Sequence, residues 1–178
     1  RYTLVYPTPF EQELAAKAST LLDVPGKVSE PATDTSASNI WHYCVSEEFA
    51  LLNQPHSTPS QAKRVAGLFL RITASAETAR TQRWMATMIA GDILSNHTYD
   101  YPAADRAFEQ AQSIAEPGSY EQLAAMYARS RAYVQDGNLA DAKQICEAVI
   151  GQFGALRECE AYERVRDILK TCDKSTRR

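Results

Sequence analysis

Apolar residues along this chain recur three and four positions apart, the period of an α-helix, and runs of strand-like alternation are rare. Only Tyr2 to Tyr6 reads as a short strand or extended arm. A first helix is expected after Thr8, with Pro9 in its first turn and an apolar stripe of Phe10, Leu14, Ala18, Leu21 and Leu22. Pro25-Gly26 ends it, and residues 25–38 read as a loop. A second helix runs from about Asn39 to Asn53, before Pro55, and a third from Thr58-Pro59-Ser60 to about Ala74. The fourth spans roughly Ala76 to Asn96, and the fifth follows Tyr101-Pro102 and ends at Pro117-Gly118. Ser119 opens the sixth, with Gln122 placed to complete a capping box, and Asp136-Gly137 closes it. The seventh spans Leu139 to Phe153, Gly154 turns the chain, and the last runs from Ala155 to Cys172.

Eight helices joined by short connections imply antiparallel neighbours, so the fold class is all-α. Residues 1–38 form an N-terminal arm, helix and loop, 39–172 the helical domain, and 173–178 a frayed polar tail. Short connections allow two architectures, a simple bundle or a stack of helical hairpins.

Internal periodicity favours the stack. In the segment Ala125 to Gly154, Met126, Arg129-Ser130 and Tyr133 precede a turn at Asp136-Gly137-Asn138, and Ala142, Cys146 and Val149 follow it. This pattern resembles a tetratricopeptide repeat, a helix–turn–helix unit of about 34 residues. Arg129 stands where that family usually has leucine, Val149 where it has alanine, and Gly154 where it has proline. Upstream, Gly91 and Leu94 in one helix and Ala104, Phe108 and Ala111 in the next form a second unit, with a turn one residue longer. Trp41, Cys44 and Val45 with Ala62, Ala66 and Phe69 form a weaker third. The anchoring alanines Ala62, Ala104 and Ala142 are 42 and 38 residues apart. The resemblance implies a short right-handed array of antiparallel hairpins. The final helix would cap it, with Leu156, Tyr162, Val165 and Leu169 facing inward.

Composition leaves room for such a domain and removes other classes. Of 178 residues, 44% are apolar and 23% charged, which is globular composition. A net charge of −3 gives no basic excess for nucleic acid. The longest apolar runs, such as Val65 to Leu70, are far short of the roughly 20 residues of a membrane span. Arg rather than Met at position 1 points to a processed or truncated N-terminus. The Asn96-His97-Thr98 acceptor pattern and four cysteines leave an extracytoplasmic or secreted location open.

Catalytic chemistry is poorly supplied. His42, His56 and His97 form no metal-binding pair, with His56 and His97 expected in loops. His42 and Cys44, two apart on a helix, point in different directions. No C-x-x-C, phosphate loop or nucleophile elbow occurs, so neither enzyme, metal nor cofactor is expected. Taking Gly154 as the centre of an antiparallel turn sets Cys146 within about one helical turn of Cys159, where a disulfide is plausible. Four buried free thiols are the alternative.

Tetratricopeptide arrays bind peptides or helices in a groove lined by the first helix of each hairpin. Carried over, the groove positions are Met85, Met88, Asp92, Ser95 and Asn96 in one unit and Ala124, Tyr127, Arg131, Val134 and Gln135 in the next. Arg131 could clamp a carboxylate and Asp92 a basic group, while packing is the alternative role for Met85 and Met88. The resemblance therefore implies a non-enzymatic module with a protein or peptide partner. A chaperone or neutralising partner of a secreted protein, and a sensing domain cut from a larger regulator, are the alternatives.

Overall fold

The computed structural model describes Trp41, residues 58–74 and residues 78–176. The expected arm, first helix and loop, nearly all of the second helix, and His42, Cys44 and His56 lie outside the described residues. The described chain is all-helical: α1 (Pro59–Ala74), α2 (Arg80–His97), α3 (Tyr101–Ile114), α4 (Tyr120–Asp136), α5 (Leu139–Gln152) and α6 (Glu160–Thr176). A single 3-10 turn, Gly154–Leu156, joins α5 to α6. Trp41 is also helical.

Local chemistry sets the boundaries. Thr58 and Gln61 form a reciprocal box at the start of α1: Gln61 N–H donates to Thr58 Oγ1 (3.2 Å), and Thr58 N–H to Gln61 Oε1 (2.9 Å). Ser119 caps α4 as expected, accepting from Gln122 N–H at 3.2 Å. The Gln122 side chain, however, accepts from Gly118 N–H (2.8 Å), one residue earlier than a capping box would have it. Asp100 and Asn138 cap α3 and α5 in the same way, each accepting from the backbone three residues on. Gly137, with φ +82°, closes α4, and the following Asn138 N–H reaches back to Tyr133 O (2.9 Å).

Two boundaries differ from expectation. The fifth expected helix ends at Ile114, short of Pro117, because proline disfavours helical geometry in the residue before it, Glu116. The last helix does not follow Gly154 directly. Phe153 is buried, and the chain turns tightly behind it before α6 begins at Glu160. That helix then continues past Cys172 to Thr176, so residues 173–176 of the expected frayed tail are helical. Lys143 on α5 ties this end down through Asp173 (2.7 Å).

Each helix packs on the next, and α4 also touches both α2 and α6. The core falls into two clusters. In the first, Phe69 and Ile72 of α1 meet Ala86, Ala90 and Ile93 of α2 and Phe108 of α3. Trp41 packs its edge on Phe69, with ring centroids 5.9 Å apart. In the second, Leu123 and Met126 of α4 meet Cys146 and Val149 of α5 and Tyr162 and Val165 of α6. Each large apolar side chain buried this way contributes roughly 1.5–3 kcal/mol.

Close approach depends on Gly91. A Cβ built there would lie 2.5 Å from the Phe108 ring, so α2 and α3 pack at this distance only with glycine. Arg129, at the unit's usual leucine position, has a different role. It reaches back to α3, donating from Nε to Asp105 (2.8 Å) and from Nη1 to Gln112 (3.2 Å). A charged bridge between hairpins replaces an apolar contact.

The longer α2–α3 turn places Tyr99 where α4–α5 has Gly137, immediately before the capping residue. Tyr99 takes φ +54°, a left-handed conformation that costs a side chain roughly 1–2 kcal/mol.

Three outcomes are expected in urea unfolding. Gly91→Ala should lose about 1–3 kcal/mol by overpacking against Phe108. Gly67→Ala, in open space on α1, should gain about 0.5–1 kcal/mol. Equal effects at the two sites would remove the role given to Gly91. Tyr99→Gly should stabilise by about 1 kcal/mol, and a loss would mean that the edge contact of Tyr99 with Tyr101 outweighs the strain.

Candidate partner-binding groove

Helices α2, α4 and α6 begin at Arg80, Tyr120 and Glu160, at intervals of 40 residues. Contacts from α2 to α4 advance along both helices together. Arg80 Nη1 meets Glu121 Oε2 at 2.5 Å near the start. Arg131 pairs with Asp92 further along. Ser95 donates to Gln135 Oε1 (2.7 Å), and Gln135 Nε2 donates to Asn96 Oδ1 (3.4 Å) near the end. The two helices therefore run parallel. The partners in these bonds are 39 to 41 residues apart in sequence.

This arrangement assigns places to the expected groove residues. Met85 is buried in the first core cluster and Met88 packs partly against it, so both contribute to the core. Asp92, Ser95 and Asn96 on α2 meet Arg131 and Gln135 on α4. The expected hooks for a ligand thus join the two helices to each other. Ala124 and Val134 are half-buried, and Tyr127 is buried in the second cluster.

Sequence reasoning missed Arg80, Glu121 and Arg164. Arg80 also approaches Glu116 (3.5 Å). Arg164 on α6 is held charged chiefly by its hydrogen bond to Glu160, with Tyr127 of α4 acting on it in the same direction across the α4–α6 seam. Complementary polar residues about 40 positions apart, such as Arg80 with Glu121 and Asp92 with Arg131, were the available signal.

Among the described residues no group of three or more His, Cys, Asp or Glu could hold a metal ion. His97 is the last residue of α2 rather than part of a loop, and burial pulls its pKa below the usual histidine range. Neutral imidazole is favoured there at pH 7. Glu160 is engaged with Arg164 (2.8 Å).

No disulfide joins Cys146 to Cys159 in the structure, so the expected bond is not formed there. The turn between α5 and α6 occupies residues 153–159, with Cys159 at its far end. Burial pushes the Cys146 thiol up to about 11, against a lowering by its hydrogen bond with Ser130. The thiol is therefore protonated at neutral pH while it stays buried.

The Asp92 and Arg131 side chains are about a quarter and a fifth exposed. A double-mutant cycle through Asp92→Ala and Arg131→Ala should give a coupling of about 1 kcal/mol that shrinks in high salt. A coupling near zero at low salt would remove this pair from the forces joining α2 to α4.

No family model matches this chain, and comparisons with curated proteins and with solved structures likewise find no match.

Proposed function

We propose that the chain is a tetratricopeptide-like, non-enzymatic interaction module that holds a peptide or protein segment along the face formed by α2, α4 and α6. The observation that carries this reading is the parallel, 40-residue succession of those three helices, each touching the next. Antiparallel neighbours make alternate helices parallel in a bundle as well as in a stack, so what favours the stack is that contacts between alternate helices recur at a 40-residue interval. Small residues at the close contacts, Gly91 and Ser130 on one helix of each pair with Ala104 and Ala142 on the other, fit the same pattern. The right-handed superhelix is taken from the family resemblance.

The polar bridges then define a pre-shaped surface. An interaction face that is ordered before binding loses less conformational entropy when a partner docks. The capping role of α6 is part of the same proposal. Its outer side carries short-range pairs between Glu163 and Arg166 (2.9 Å) and between Asp167 and Lys170 (2.8 Å), all well exposed. A charged outer face is what a terminal element needs to stay in water.

Affinity capture from the native host tests the groove with three proteins: wild type, Arg131→Glu, and the exchange Asp92→Arg with Arg131→Glu. The single variant places two carboxylates together, whereas the exchange restores the bridge with its polarity reversed. A groove-bound partner should be held in a saturable complex by the wild type and lost by both variants. The exchange should unfold within a few degrees of the wild type. Retention of the partner by the folded exchange variant would move the interface off this face.

A further inference from the structure

We propose that Cys146 and Cys172 are the native cross-linking pair of this chain, forming under oxidation a reversible disulfide that fastens α6 to α5. The proposal is independent of what the groove binds. Its basis is the register of the two helices. Tyr162 hydroxyl approaches Ile150 O (3.5 Å) near the turn, and Lys143 meets Asp173 (2.7 Å) at the far end, so α5 and α6 run antiparallel over nearly their whole length. Cys146 lies one turn from Lys143, and Cys172 is the neighbour of Asp173. Both thiols are buried. The charge of Lys143 acts on Cys172, and Cys172 in turn acts on Cys146, in keeping with that register.

Cys159 is the poorer partner for either thiol. It is 13 residues from Cys172, roughly 20 Å along the chain at 1.5 Å per residue, far beyond disulfide reach. From Cys146 to Gln152, where α5 ends beside the turn that carries Cys159, the rise is about 9 Å.

Burial raises the Cys172 pKa, so in the closed helix this thiol is a weak nucleophile. Cys172 stands about one turn before the end of α6 at Thr176, where helix ends open most readily. A small external disulfide of the oxidised glutathione type serves as oxidant. The Cys172 thiolate attacks one of its sulfurs, forming a mixed disulfide and releasing one thiolate. Cys146, after giving its proton to solvent, attacks Cys172 Sγ and expels the second. Two protein thiols lose two protons and two electrons, and one external disulfide is reduced to two thiols.

Trypsin separates the four cysteines into Val28–Lys63, Gln144–Arg157, Glu158–Arg164 and Thr171–Lys174, and a link from Val28–Lys63 to Cys146 or Cys172 would also overturn the proposal; the other three are here the first, second and third peptides. The full chain, equilibrated with oxidised glutathione and mapped without reduction, should yield the first peptide joined to the third. Its unfolding midpoint should rise by several degrees over the reduced chain. Cys159→Ser should keep this link and Cys172→Ser should lose it. Recovery of the first peptide joined to the second, or of Cys146 and Cys172 as free thiols or glutathione adducts after equilibration, would overturn the proposal, and the wild-type map alone decides it.

Discussion

The approach of α2 to α3 across Gly91 is the constraint on which the rest of this structure depends. The Phe108 ring fills the space that any side chain at position 91 would need. Because the two backbones come this close, α3 can lie under both α2 and α4. Those two helices are thereby brought near enough for short side chains such as Ser95 and Asp92 to reach across. A wider α2–α3 spacing would leave these polar groups facing water, and the shared face would not form. In the next hairpin the corresponding positions are Ser130 and Cys146, both fully buried, rather than a glycine and a ring.

Two kinds of seam hold the hairpins together. Between α2 and α4, beside the apolar packing of Ala128 and Ala132, the directional contacts are ion pairs at Arg80 and Arg131 and amide and hydroxyl bonds at Gln135. Between α4 and α6 the apolar cluster of Leu123, Met126, Tyr162 and Val165 dominates, with Arg164 and Tyr127 at its edge. Apolar burial is non-directional, whereas charge-assisted hydrogen bonds fix geometry. The first seam therefore sets relative position, and the second supplies most of the cohesion. Arg129 adds a third contact, from α4 back to Asp105 of α3, at a position where the resembled pattern has an apolar residue.

Much of the helical framework was legible in the sequence because its signals are local. Ser119 before α4, Gly137 after it and the apolar periodicity of α1 are each written within one or two turns of chain. The anchoring positions Ala104, Phe108, Ala142 and Cys146 were legible through their repetition. Less legible were features that depend on how helices register in space. Asp92 and Arg131 read as free hooks because their mutual contact spans 39 residues. The position of α6 was missed because Gly154 looked like the turning point, whereas the buried Phe153 makes the chain turn behind it and delays the helix.

The place of α4 has a consequence for how the molecule melts. Its Ala128 and Ala132 belong to the first apolar cluster, while its Leu123, Met126 and Tyr127 belong to the second. One helix is thus a common wall to both. Fraying of α6 can remain local, but detaching α4 strips one side from each cluster at once. Repeat stacks in general unfold by units, with each interface contributing separately. Here the shared wall ties the two clusters into a single cooperative block.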